Sequence, residues 1–161
     1  MNVRKLCEGA ILMALVFVVT RFIQIPIPLG YFNVGNSVIL LGCLLASPAE
    51  GIIAASVGSA LADLTSFPVY TLPTLIIKAI MPLIYYLITK KKPEDKKLNL
   101  VAVAVSTLVP LFGYTLTGMI LYGGFAAGIA QFPGLFIEYI ANIVIFALLM
   151  NPILKVKKRI L

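Results

Sequence analysis

Six apolar segments joined by short connections leave this chain few architectures. They run about 5–24, 34–47, 49–65, 72–89, 99–122 and 133–152. Lipid offers no water to hydrogen-bond an exposed backbone, so an open strand is excluded and each segment is read as a helix. The reading is an all-α integral membrane protein with six transmembrane helices, forming one membrane domain over residues 1–161. A mean hydropathy of +1.06 agrees with this class, as does a charged fraction of 12%, about half that of soluble domains. The second segment is the exception in length. Its roughly 14 residues would rise about 21 Å at ~1.5 Å per residue, less than the ~30 Å hydrocarbon core. It must tilt, stop short, or lean on the loop before it.

Arg4 and Lys5 precede the first apolar run, which has no small-x-small cleavage site, so this helix is expected to stay in the product. Eleven of the 13 basic residues fall on one side: Arg4 and Lys5, then Lys90, Lys91, Lys92, Lys96 and Lys97, then Lys155, Lys157, Lys158 and Arg159. The positive-inside rule makes that side cytoplasmic, with both termini on it. Arg21 and Lys78 are the exceptions. The basic loops serve topology and contact with anionic lipid of the bilayer. Nucleic acid is not an expected partner, because no folded cytoplasmic module shapes a groove for it. With no His, and with Cys7 and Cys43 far apart in apolar surroundings, neither a Cys/His metal site nor a His-based triad can be assembled. No catalytic residue, metal or cofactor is therefore assigned.

The connections on the other side, 25–33 (IPIPLGYFN), 66–71 (SFPVYT) and 123–132 (GGFAAGIAQF), carry aromatics, Pro, Gly and amides but no charge. They read as lids. Pro26 and Pro28 push Ile25 and Ile27 toward extended backbone, making the first a stiff strap. Gly123, Gly124 and Gly128 give the last one freedom to close.

Three ionisable residues survive below the water interface: Asp63, Lys78 and Glu138. Even the lower insertion scales charge about 2.5–3.5 kcal/mol for a Lys or Asp at a helix centre, so such groups face a protected cavity or one another. Helical rise puts each within about 10 Å of the outer boundary. Asn33, Asn36, Tyr70, Thr74, Tyr114, Thr117, Tyr139 and Asn142 fall near the same level, with Glu138 and Asn142 sharing a helix face at i,i+4. Tyr faces can stack on a ring while amides and charges read its hydrogen-bonding edges, a composition that suits a small polar aromatic ligand. The same charges can instead form an internal ion pair, Lys78 with Glu138 or Asp63, that fixes helix packing.

In the third segment Gly51, Ala55 and Ser59 repeat every four residues beside Ala54, Gly58 and Ala62. Two small-residue stripes permit close helix approach and make this helix central. Ala10 and Ala14 form an AxxxA pair on the first. Pro82 and Pro110 should bend their helices.

Six short helices, that AxxxA pair, the stretch GYFNVGNSVILLGCLLASPAEGIIAASVGSALADL (30–64) and TLPTLIIKAIM (71–81) resemble the substrate-binding S component of an energy-coupling factor (ECF) vitamin transporter. Within that family the likeness points to hydroxymethylpyrimidine and pyridoxine carriers rather than riboflavin, folate or biotin types. An S component for another vitamin, such as riboflavin, is the alternative. The resemblance implies a high-affinity vitamin-binding protein in the plasma membrane of a prokaryote. Its AxxxA face, Ala10 and Ala14, would dock on a transmembrane coupling subunit driven by two cytoplasmic ATPases, and the S component would topple in the membrane to deliver its ligand. Lys78 matches the lysine of the related TLIIKG pattern. Asn36 stands where relatives often carry the acid of GYFNLGD.

The expected ligand contacts are thus Lys78, Glu138, Asn142, Asn33, Asn36, Tyr70, Tyr114, Tyr139 and Asp63. Such a chain is not an enzyme; ATP hydrolysis belongs to its partners. A membrane enzyme using Asp63 and Glu138 as acid and base would need a metal-binding acidic cluster or a His. A secondary carrier with Lys78 and Glu138 as a proton relay would be expected to show paired broken helices in its two halves, and these are not seen.

Overall fold

Parallel packing of two helices organises the interior. Helix α1 (Val3–Phe22) lies along α3 (Pro48–Ser66), in register from Gly9 beside Glu50 to Val16 beside Gly58. A Cβ at Gly58 would sit 2.8 Å from the Met13 carbonyl oxygen, so the small-residue stripe is what lets these backbones meet. The structure, a computed structural model, describes residues 3–160, and the side chains of all of these except positions 4 and 158–160. The orienting cations Arg4, Lys158 and Arg159 therefore lie outside the described side chains.

Between α1 and α3 the chain makes a turn of structure that the apolar pattern hides. Residues Gln24–Ile27 (β1) and Gly30–Asn33 (β2) pair antiparallel, Gln24 with Asn33 and Ile27 with Gly30. The expected strap at 25–33 is thus a β-hairpin within an otherwise helical chain. The prolines that stiffen it are compatible with a two-stranded ribbon, where each strand has a free edge that needs no donor. Pro28 and Leu29 form the turn, and Leu29 takes the left-handed φ of 61°, a conformation costly for a non-glycine residue.

Helix α2 (Gly35–Cys43) has nine residues and does not reach across a bilayer at ~1.5 Å per residue. Ile39, Leu40 and Leu41 bury it against Val16, Phe146 and Met150 in the main apolar core. Helix α3 begins with Pro48 at its first turn and Glu50 reaching back to accept from the Ser47 amide at 2.9 Å, which satisfies a donor the helix leaves free. A 3₁₀ turn (Pro68–Tyr70) leads into α4 (Thr71–Thr89), which runs on through Pro82.

The fifth apolar segment is broken. Helix α5 (Lys96–Ser106), capped by Asp95 accepting from the Lys97 and Leu98 amides, stops at Thr107, and α6 (Leu108–Leu121) continues. Pro110 has no N–H for the Ser106 carbonyl one turn back, which accounts for the break.

Helix α7 (Phe125–Ile160) has 36 residues, about 54 Å at ~1.5 Å each. It absorbs most of the segment expected to be the 123–132 lid. Gly123 and Gly124, with φ of 73° and 155°, make the tight turn from α6. Gly128 is a packing residue, since a Cβ there would lie 2.9 Å from the Thr115 carbonyl oxygen. Among the described residues, three helical stretches are long and apolar enough to cross a membrane: Pro68–Thr89, Lys96–Leu121 and Phe125–Lys157.

Candidate functional site

Beneath the hairpin, residues of α1, α3, α4, α6 and α7 surround a small polar pocket with about 30 Å³ of free space. Asp63 reaches it from the last turn of α3, Lys78 from two turns into α4, and Glu138 from α7. All three are buried, at 3%, 2% and 4% exposure. The depth argument from helical rise therefore brings them to one cavity, together with Asn33, Tyr70 and Tyr114.

Their bonds form two linked clusters. In the first, the Tyr31 and Thr74 hydroxyls donate to the two oxygens of Asp63, and Thr74 also meets the Tyr114 hydroxyl at 3.0 Å. Burial and then the Asp63 charge push the phenol of Tyr31, on the outer hairpin, above its ordinary range, which keeps it a donor. In the second, the Lys78 ammonium donates to Asn36 Oδ1, and Asn36 Nδ2 donates to Glu138 Oε1 at 2.9 Å. Lys78 Nζ lies 5.6 Å from the Tyr114 ring centroid, within cation–π range. Tyr114 touches both clusters.

Asn142 and Tyr139 are placed elsewhere. Asn142 Oδ1 accepts from the Ser37 amide at 2.7 Å and the Ser37 hydroxyl at 2.6 Å, and Nδ2 donates to the carbonyls of Asn33 at 3.0 Å and Glu138 at 2.8 Å. It shares the Glu138 face, as expected, but one turn deeper, where it clamps the first turn of α2 to α7 and has no bond left for a ligand. Tyr139 does not line the chamber; its hydroxyl donates to the Ala104 carbonyl at 3.2 Å and its ring stacks on Phe136. Asn36 is the bridge between Lys78 and Glu138 rather than part of the cavity wall.

Four polar lining residues were not placed at this level by the sequence: Thr20, Tyr31, Ser59 and Gln131. Gln131 Nε2 donates to the Leu29 carbonyl at 2.9 Å and to the Tyr70 hydroxyl at 2.6 Å, while Tyr70 donates to the same carbonyl at 3.1 Å. These bonds tie down the strained tip of the hairpin over the chamber. Gln131 fell in a segment read as loop, and its amide was the only signal. Thr20 Oγ1, Ser59 Oγ and Gln131 Oε1 are buried without a hydrogen-bond partner. No three His, Cys, Asp or Glu side chains converge as metal ligands among the described residues.

A second concavity runs along α1 and α3. Ala10 and Ala14 line it with Gly9, Met13, Ile53 and Ala54.

Fold and chamber together define a helical membrane protein with a small, charge-lined polar pocket beneath its hairpin. The family model described as ECF-type riboflavin transporter, S component, matches residues 1–155, and the chain belongs to this S component family. It is a transport subunit rather than an enzyme. It is 33% identical over 132 residues to a protein of Pyrococcus woesei described as "Uncharacterized protein in gap 3'region", spanning 81% of this chain and 88% of that one. A solved structure, "Structure and mechanism of the S component of a bacterial ECF transporter", superposes with a TM-score of 0.74 at 23% identity, covering 94% of this chain and 96% of that one, and shares its fold. The family description names riboflavin, where the sequence motifs resemble the hydroxymethylpyrimidine and pyridoxine carriers; the comparisons carry the family and not the ligand.

Proposed function

We propose that this S component captures a small aromatic vitamin or precursor, a hydroxymethylpyrimidine or a vitamin B6 form, from outside the plasma membrane of a prokaryote, in the chamber under the hairpin. The observation that carries the reading is the convergence of Asp63, Lys78 and Glu138 on one cavity walled by Tyr31, Tyr70 and Tyr114. Its free space of about 30 Å³ is roughly the volume of one water, so a bound ring requires the lining side chains to move apart. Tyrosine faces sandwich that ring. Lys78, Glu138 and Asn33 read its edge, and exclusion of water strengthens each contact. Riboflavin is the second reading, favoured by the description of the matching family model.

Delivery is assigned to partners. Ala10 and Ala14 lie in the α1–α3 groove, a surface suited to close helix approach, and we assign it to the transmembrane coupling subunit with its two cytoplasmic ATPases. Six crossings with both ends cytoplasmic complete the scheme. In support of it, Glu8 of α1 and Lys157 of α7 line one recess, so the two ends lie side by side.

Titration calorimetry of the purified protein with pyridoxine, hydroxymethylpyrimidine and riboflavin tests the reading. One of the three binds, and Lys78→Ala or Glu138→Gln weakens it about tenfold or more, equivalent to ~1.4 kcal/mol. Equal affinity in both variants removes the two residues from the site.

A further inference from the structure

With room for about one water, the pocket beneath the hairpin admits a ring only if one of its walls moves. The walls are anchored unequally. The hairpin is seated at four places: Tyr31 donates to Asp63 of α3, Gln24 Nε2 donates to the Ser66 hydroxyl at 3.1 Å, the Leu29 carbonyl accepts from Tyr70 at 3.1 Å, and Ile27 presses on Gly134 of α7. A Cβ at Gly134 would lie 2.7 Å from Ile27 Cγ2. Helix α3 is held against α1 at Gly58. The corner where α6 turns into α7 is built differently. Pro110 leaves the Ser106 carbonyl without its helical donor on one side, and Pro133 does the same to the Ile129 carbonyl on the other, and such interruptions are where helices bend. Between the two prolines the corner is one body, since Gly118 admits the Gln131 amide and Gly128 admits Met119 and the Thr115 carbonyl. Its turn stands clear, with nothing within 4 Å of a Cβ at Gly123 or Gly124.

We propose that this helical corner, residues 111–132, is the gate of the pocket, swinging as one body about Pro110 and Pro133 while the hairpin stays seated. Its side-chain hydrogen bonds to the rest of the protein run from Tyr114, which meets the Thr74 hydroxyl at 3.0 Å, and from Gln131, which donates to the Leu29 carbonyl at 2.9 Å and the Tyr70 hydroxyl at 2.6 Å. Tyr122 adds a ring contact to Tyr70 at 6.4 Å between centroids. The Thr115 and Thr117 hydroxyls are spent on carbonyls of α6 itself. Release of Tyr114 and Gln131 thus frees the corner, whereas release of the hairpin breaks its contacts to α3, to the 3₁₀ turn and to α7. The swing also makes room in the right place. Tyr114 stands with Leu135 and Glu138 between the pocket and the adjoining recess beside Tyr139, so moving it joins the two spaces. The entry of a vitamin by this route rests on the pocket being the vitamin site; the motion itself does not.

Opening is read first without any ligand, from the rate at which N-ethylmaleimide labels Thr74→Cys, a wall position 1% exposed, in protein carrying Cys7→Ser and Cys43→Ala. Pro110→Ala with Pro133→Ala restores both helical donors and stiffens the hinges, and labelling slows about tenfold. Pro26→Ala with Pro28→Ala loosens the hairpin, and labelling stays within twofold. An unchanged rate in the hinge variant, or faster labelling in the hairpin variant, overturns the gate. The second arm uses Ile77→Cys with Gly113→Cys in the same cysteine-free background without the Thr74 change, since a Cβ at Gly113 would lie 2.9 Å from Ile77 Cγ1 and neither residue lines the pocket. Oxidation of that pair pins α6 to α4. Rapid filtration with radiolabelled pyridoxine, hydroxymethylpyrimidine or riboflavin, whichever the wild type binds, gives an association rate about tenfold lower for the oxidised than for the reduced form. Equal rates in the two forms overturn the gate and leave the vitamin site standing. Binding of none of the three by the wild type overturns the vitamin reading, and the labelling rates still decide the gate.

Discussion

Lys78 and Glu138 meet through Asn36, whose side-chain carbonyl accepts from the ammonium while its amide donates to Glu138 Oε1 at 2.9 Å. A neutral amide thus stands between opposite charges from two helices. Asn36→Leu leaves a buried ammonium and a buried carboxylate each short of a bond, and unpaired buried polar groups cost about 1–3 kcal/mol, more when charged. We predict a loss of about 2–3 kcal/mol, read as a lower thermal midpoint in detergent. Asn36→Asp still accepts from Lys78 and should lose less. Equal midpoints for wild type and Asn36→Leu would remove the bridge from the stability of the fold.

The two tyrosines grouped with the charges share a small adjoining pocket with Glu138 but differ in what else they touch. Tyr114 lines the chamber beside Lys78, whereas the Tyr139 hydroxyl is committed to Ala104 on α5. Tyr114→Ala should weaken binding of whichever vitamin the wild type takes about tenfold or more, the scale of ~1.4 kcal/mol. Tyr139→Phe should leave it within twofold. The reverse pattern in calorimetry would move the site to the adjoining pocket beside Tyr139.

Ala10 and Ala14 lie on the groove along α1 and α3, and neither lines the ligand chamber. Leu at both positions fills the groove and should block copurification with the coupling subunit and its ATPases while ligand affinity stays unchanged. Loss of ligand binding with assembly intact would reverse the assignment.

How much of this the sequence disclosed depends on what kind of signal each element carries. Helices α3 and α4 fall within a residue or so of the apolar segments 49–65 and 72–89, because hydrophobic length in lipid is a strong cue. The hairpin was hidden because IPIPLGYFN contains two prolines and no polar alternation, and the turn uses Leu29 where a glycine would have announced it. The start of α7 was misread because Gly128 suggests mobility in a sequence, whereas in the fold it admits Met119 and Thr115. Asp63, Lys78 and Glu138 were legible as one group from depth alone. Asn142 shows the limit of that argument: periodicity gives the face of a helix but not which neighbour takes up the bonds, and Ser37 takes them. Thr20 was indistinguishable from a surface hydroxyl, and Ser59 from a small packing residue, until the absence of a partner set them apart.

Native mass spectrometry of the protein purified from its own host tests the central claim most directly. The account predicts one small heteroaromatic molecule bound per chain, retained by wild type and lost or depleted in Lys78→Ala. A chain that carries no such molecule, or a variant that retains it as fully as wild type, would contradict a vitamin held among α3, α4 and α7.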